Sequence, residues 1–300
     1  MKKIDLLKTS KGQPRGYIQP QVLKELWFHT GSICNLSCSF CLEGSGPGDS
    51  RIEKMLFGEV KLLIDEALFL GVEQFSFTGG EPFVIKDIID VLSYALDHRP
   101  CLVLTNATKP LKERWDEIIK LKGKSNSIKF RVSLDYPDPK KHDVSRGEGS
   151  FQLALEMLGR LYKEGFAVSI ARQMAKDENV EEVDQSYQKF FQQVDLPQDT
   201  NIVKFPDFLK PGEIKAVPEI TEDCMTRYHT EATRAQFMCH NTKMVLKKKG
   251  CLHIYACTLV DDDEDYGLGD NLTESLKPRI TLKHHRCYSC FAYGASCSEK

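Results

Sequence analysis

Cys34, Cys38 and Cys41 stand in the run Ile33-Cys34-Asn35-Leu36-Ser37-Cys38-Ser39-Phe40-Cys41, a C-x3-C-x2-C triplet just after an apolar segment. Three thiolates on one short loop can wrap three irons of a [4Fe-4S] cube, and the fourth iron, lacking a protein donor, is left to a small molecule. An iron left open in this way is a catalytic iron. Zinc is the competing occupant, but zinc sites usually pair two short Cys/His hooks into a closed tetrahedron, which a lone triplet does awkwardly. A second group of thiols lies far downstream: Cys239, Cys257 and the hook Cys287-Tyr288-Ser289-Cys290. Two separated thiols and a close hook can close a four-ligand site, and the residues alone leave both a second cluster and a structural zinc open. Cys251 and Cys297 are alternative ligands for that site. Cys101, inside an apolar run, reads as a buried core thiol, and Cys224 has no partner in sequence.

The elements that must position these thiols follow from periodicity. Residues 26–29, 74–78, 101–105, 128–134, 167–172 and 202–205 are short runs rich in β-branched or aromatic residues and read as six strands. Helical spacing appears between them at 57–70, where Val60, Leu63, Ile64, Ala67 and Leu68 recur and Gly71 supplies a stop. It appears again at 87–97, before Pro100, and at 151–164, with Ser150 as the expected N-cap and Gly165 as the expected C-cap. Strands alternating with helices imply an α/β fold with a parallel sheet and crossover helices. Prolines and glycine in 206–212 break the pattern. The expected organisation is an N-terminal extension over 1–25, a barrel-like unit over 26–212 and a small cysteine-rich unit over 213–300.

Several motifs fall in one order along these elements: the cysteine triplet, Thr78-Gly79-Gly80-Glu81-Pro82 at the end of the second strand, Leu104-Thr105-Asn106, Val132-Ser133-Leu134-Asp135, His142-Asp143 and Arg146-Gly147-Glu148-Gly149-Ser150-Phe151. Together they resemble the radical S-adenosylmethionine (SAM) enzymes, over about residues 26–297. The resemblance implies a partial (β/α)6 barrel, similar to a TIM barrel but open on one side, with the motifs gathered on the C-terminal rim as in full barrels. It implies that Cys34, Cys38 and Cys41 hold a catalytic [4Fe-4S] cluster whose open iron SAM chelates. One electron would then cleave SAM reductively to a 5'-deoxyadenosyl radical that abstracts hydrogen from a substrate. Gly79, Gly80 and Glu81 match the family motif that holds the SAM amino group, the glycines allowing close backbone approach. Phe40 is expected over the adenine, Ser133 and Asp135 on ribose or methionyl polar atoms, and Arg146 on the SAM carboxylate. The C-terminal thiols resemble the twitch form of auxiliary domain, the chain ending too soon for the longer SPASM pattern. The resemblance thus implies one auxiliary [4Fe-4S] cluster held by Cys239, Cys257, Cys287 and Cys290.

Composition fits such an enzyme. The chain has 300 residues, is 41% hydrophobic and 28% charged, and carries eleven cysteines and a formal charge of -2. It can bury a sizeable core, and it has no bulk pull toward nucleic acid or anionic lipid. No apolar stretch approaches the roughly 18 residues of a membrane span, and the first residues lack the apolar core of a signal peptide, so the expected place is the cytoplasm. Abundant thiols in such a chain argue for metal or redox chemistry over disulfides. The acidic run 261–265 reads as a solvated loop. The expected partners are a peptide or small-molecule substrate and an external electron donor such as flavodoxin or ferredoxin, with no membrane. The short stretch before the first strand leans toward small molecules or short peptides. A nonenzymatic iron-sulfur or zinc protein would need no Gly-Gly-Glu motif, and an RNA-modifying radical enzyme would be expected to show an aromatic and basic surface motif.

Overall fold

The computed structural model of the protein describes residues 6–175, 178–206 and 210–294. Ten strands occur among them: β1 (Tyr17–Ile18), β2 (Glu25–His29), β3 (Gln74–Thr78), β4 (Cys101–Thr105), β5 (Ile128–Ser133), β6 (Ala167–Met174), β7 (Ile202–Pro206), β8 (Thr242–Lys248), β9 (Cys251–Tyr255) and β10 (Ile280–Thr281). Eight form one sheet in the order β7-β6-β5-β4-β3-β2-β8-β9. From β2 to β7 each strand pairs in parallel with its sequence neighbour, and the helices Phe57–Phe69, Ile88–His98, Ser150–Lys163 and Val180–Gln193 lie in the connections. This is the singly wound order of a partial barrel, and the six expected strands are all present. Every residue of β2 is buried, as in a strand covered on both faces, and its Phe28 stacks on Phe77 of β3 with ring centroids 5.4 Å apart.

The helix ends explain where the strands begin. At Gly71 and Gly165, with φ of +82° and +85°, the chain leaves its helix in the left-handed conformation that glycine takes without steric cost. The Gly71 amide donates to the Leu68 carbonyl and Val72 to Ala67, and Gly165 donates to Tyr162 and Phe166 to Leu161, so both ends are Schellman closures. Ser150 is not the N-cap of its helix. It is the first helical residue, behind Gly149, and the cap is supplied by Asp143, whose carboxylate accepts from the amides of Gly149 (2.8 Å) and Phe151 (2.9 Å) and the hydroxyl of Ser150 (3.2 Å).

The sheet does not stop at the expected boundary near residue 212. β8 pairs in parallel with β2 on the side away from β3, and β9 returns antiparallel to β8. The hairpin between them turns on Lys249 and Gly250, both with positive φ (53° and 75°), as a type I′ turn requires. Met244, Val245 and Leu246 of β8 are fully buried, so this strand belongs to the same core as β2. β1 pairs with β10, and the Arg15 guanidinium and Ser10 hydroxyl both bond Glu219, which ties residues 10–18 to the C-terminal part of the chain.

Candidate functional site

The cysteine loop leaves the C-terminal end of β2 and is stitched to the neighbouring strand end. The Gly80 amide donates to the Gly31 carbonyl at 2.8 Å and the Glu81 amide to the Ile33 carbonyl at 3.1 Å. A Cβ on Gly80 would lie 2.2 Å from the Ile33 oxygen, and one on Gly79 would lie 2.7 Å from the Gly31 oxygen, so both glycines are dictated by this contact. Within the loop the Cys34 amide donates to Gly46 (3.1 Å) and the Cys41 amide to Cys38 (3.2 Å). Three donors point at sulfur: the Leu36 amide (3.4 Å) and Asn106 Nδ2 (3.7 Å) at Cys34 Sγ, and the Ser45 amide (3.4 Å) at Cys41 Sγ. Such donors favour the thiolate, the form that binds metal. Burial works the other way: it pushes the Cys34 thiol up to about 11 against the opposing Leu36 amide, and raises Cys38 against the opposing charge of Arg146. Metal binding at these sulfurs must therefore displace protons.

Glu81 has a different position from that expected. Its side chain is fully buried, and its two oxygens accept from the Phe83 amide (3.1 Å), the Thr105 hydroxyl (2.8 Å) and the Asn106 amide (2.8 Å). Burial raises this carboxyl to about 7, opposed by those three donors. The carboxylate thus braces the ends of β3 and β4, and the part of the motif that reaches the adjoining cavity is Gly79 and Gly80.

That cavity encloses about 190 Å³ on the C-terminal rim, where Cys34, Cys38, Cys41, Phe40, Gly79, Gly80, Ser133, Asp135 and Arg146 all line it. Arg146, from the helix Pro139–Arg146, bonds through Nε to Asp135 Oδ2, and its guanidinium lies over the Phe40 ring at 5.6 Å from the centroid. The expected ligand residues are therefore partners of one another as well as wall residues. The rim also carries residues the sequence reading did not assign. Asn106 touches both Cys34 and Asn35, and Arg172, Gln173, Thr258 and Leu259 close the remaining wall. Asn106 stands in a quoted motif, whereas Thr258 and Leu259 arrive from beyond β9 with no local signal.

The four C-terminal cysteines come together. Cys239, Cys257, Cys287 and Cys290 are each less than 10% exposed, and Cys257 lies within electrostatic reach of the other three. Cys251 is exposed, Cys101 is buried in β4 as expected, and Cys297 lies outside the described residues. The run 261–265 is not simply solvated: Asp261 is 3% exposed, and Asp262 faces Arg286 Nη1 at 3.4 Å and His284 Nε2 at 3.5 Å.

Among the described residues, the donor atoms of His29, Glu43 and Asp261 all lie within 4.8 Å of one another, with His29 and Asp261 buried. The Nδ1 of His29 accepts the Gly31 amide at 3.3 Å, and its Nε2 lies 3.1 Å from Glu43 Oε2.

Comparison with known proteins agrees with this geometry. The profile of the radical SAM superfamily matches residues 28–190. The mycofactocin maturase MftC of Mycolicibacterium smegmatis is 30% identical over 152 residues, 51% of this chain and 38% of that protein, so the match spans well under half the length of that relative. Among solved structures, Streptococcus suis SuiB bound to S-adenosylmethionine superposes with a TM-score of 0.58 at 16% identity, covering 83% of this chain and 63% of that one; SuiB has also been solved with its precursor peptide SuiA. anSMEcpe with bound AdoMet superposes with a TM-score of 0.59 at 15% identity, covering 90% and 82%. Those two likenesses establish a shared fold. The profile match covers more than half of the chain, with the cysteine loop and the Gly-Gly-Glu strand end inside it, and the chain belongs to the radical SAM superfamily.

Proposed function

We propose that this chain is an enzyme that reductively cleaves SAM at a [4Fe-4S] cluster held by Cys34, Cys38 and Cys41, and uses the resulting radical to modify a peptide. The observation that carries this reading is the convergence of three thiols from one loop with Gly79, Gly80, Ser133, Asp135 and Arg146 on a single cavity. When bound, the cluster and SAM supply one-electron cleavage chemistry, and the protein's part is to bind, orient and exclude water. Cys34, Cys38 and Cys41 anchor the cluster, with the amides of Leu36 and Ser45 supporting the thiolate charge. The cavity-lining backbone of Gly79 and Gly80 takes the amino group of SAM, and Glu81 positions that backbone from behind. Ser133 and Asp135 take its polar oxygens. Arg146, already oriented by Asp135, supplies the charge for its carboxylate, and Phe40 covers the adenine.

Cys239, Cys257, Cys287 and Cys290 form, in this proposal, the full ligand set of an auxiliary [4Fe-4S] cluster. Four thiolates would leave no iron open to SAM, and a cluster held in this way would supply one-electron acceptor chemistry. The relatives' names favour a peptide over a small metabolite, since one is a maturase and another binds a precursor peptide. An external donor such as flavodoxin or ferredoxin provides the first electron in the reducing cytoplasm. No described helix is long and apolar enough to cross a membrane. Anaerobic reconstitution tests the proposal: the parent should hold about eight irons per chain, and the Cys34→Ala/Cys38→Ala/Cys41→Ala variant about four, counting one [4Fe-4S] per ligand set. One zinc and no iron in the triple variant would reduce the C-terminal site to a structural staple.

A further inference from the structure

Lys243 is the second residue of β8, opposite Leu26 of β2, and its side chain is fully buried. Its ammonium donates to the main-chain carbonyls of Cys239 at 3.2 Å and Thr242 at 3.1 Å. Two other buried bases have a carboxylate: Arg172 holds Glu178 and Asp184, and Arg286 faces Asp262. Lys243 has none among the described residues. The contact with the Cys239 carbonyl sets it beside the C-terminal thiols, with the sulfurs of Cys239 and Cys257 within electrostatic reach, and the nearby titratable group on its own segment is His240, a further base.

A buried ammonium with only carbonyl partners is costly, because carbonyl dipoles do not replace the hydration of a full charge. The cost is offset if the sulfurs beside it are anionic. Buried thiols free of metal are neutral, whereas metal-bound ones are thiolates, so the lysine and an occupied cysteine quartet stabilise each other. An all-cysteine iron-sulfur cluster is an anion and gains one further negative charge when one electron enters it. A fixed positive charge in a dry site favours that reduced form, since the charge interaction strengthens as water is excluded.

We infer that Lys243 is the built-in counter-charge of the C-terminal cluster, setting its potential toward electron acceptance. The inference rests on the auxiliary-cluster reading above and assigns a positioning role. The test uses the Cys34→Ala/Cys38→Ala/Cys41→Ala protein, in which the C-terminal cluster is observed alone, titrated anaerobically with dithionite as electron donor and read by electron paramagnetic resonance. Lys243→Gln keeps a donor for the two carbonyls and removes the charge; Lys243→Met removes both; Lys243→Arg keeps the charge. With iron content equal to the parent's, Gln and Met should raise the oxidised-to-reduced ratio at fixed potential about tenfold, equivalent to about 59 mV for a one-electron couple, and Arg should stay near the parent. Loaded Gln or Met variants with an unchanged ratio would overturn the counter-charge role and leave the cluster reading intact. Equal shifts in the Arg and Gln variants would also overturn it. Absence of iron in the parental triple variant would remove the cluster itself and the inference with it.

Discussion

Replacing Gly80 by Ala tests whether the seam between the cysteine loop and β3 builds the site. The added Cβ would lie 2.2 Å from the Ile33 oxygen, 2.6 Å from its carbonyl carbon and 2.8 Å from the Ser32 oxygen. All three are backbone atoms, so no rotamer change relieves the clash, and the loop must retreat by about 1 Å to reach ordinary contact distance. That retreat strains the Gly80-to-Gly31 and Glu81-to-Ile33 hydrogen bonds. Overpacking of this kind costs about 1–3 kcal/mol, and each of the two lost bonds about 0.5–1.5 kcal/mol, so the variant should be destabilised by about 2–6 kcal/mol. The displaced segment carries Cys34, so iron uptake at the N-terminal site and SAM binding should fall together. Gly58→Ala is the control, because that exposed helical glycine has nothing within 4 Å of its added Cβ, and the change should stabilise by about 0.5–1 kcal/mol. The assays are urea denaturation, iron per chain after anaerobic reconstitution, and SAM binding. A Gly80→Ala protein with parental stability, iron and SAM affinity would refute the close-packed seam.

Other perturbations follow from the same geometry. Glu81 has a folded-state value of about 7 against an ordinary 4.5, so the native state binds its proton more tightly than the unfolded state. Its contribution is fully present below about 4.5 and is lost as pH rises through 7, an effect of about 3 kcal/mol at about 1.36 kcal/mol per unit. Comparing urea midpoints at pH 5 and pH 8 should show this loss in the parent and not in Glu81→Gln; the same slope in both would assign it elsewhere. Asp135→Asn leaves the Arg146 charge without its carboxylate in a nearly buried site, and should cost about 3 kcal/mol in stability, along with weaker SAM binding by calorimetry. Cys251 is exposed and Cys257 buried among its fellows, so Cys251→Ala should keep all iron while Cys257→Ala loses the C-terminal share.

The parallel part of the sheet was legible because its strands are apolar runs closed by helices with glycine stops, and local patterning suffices for that. β8 was not read as a strand. Its sequence Thr242-Lys-Met-Val-Leu-Lys-Lys mixes three lysines into the apolar run, and nothing local marks Lys243 as the buried one. The N-cap of the helix Ser150–Lys163 was misread because the capping group, Asp143, belongs to the preceding helix and reaches it only after the chain has turned. At the site, spacing revealed the residues that face the cavity but not which atoms are already engaged. Glu81 stands in the expected motif, yet its oxygens are taken by Phe83, Thr105 and Asn106, contacts made between strand ends. Asp261 looked like part of a solvated acidic loop because sequence gives no sign that His29 and Glu43 lie within 4.8 Å of it.

The central claim is SAM cleavage at the N-terminal cysteine loop. Its most direct measurement is the quantity of 5'-deoxyadenosine formed when anaerobically reconstituted protein is reduced with dithionite in the presence of SAM. Steady formation is expected from the parent protein and none from the Cys34→Ala/Cys38→Ala/Cys41→Ala variant, although that variant retains its C-terminal iron. Equal 5'-deoxyadenosine from the two proteins, or none from a parent carrying a full complement of iron, would contradict it.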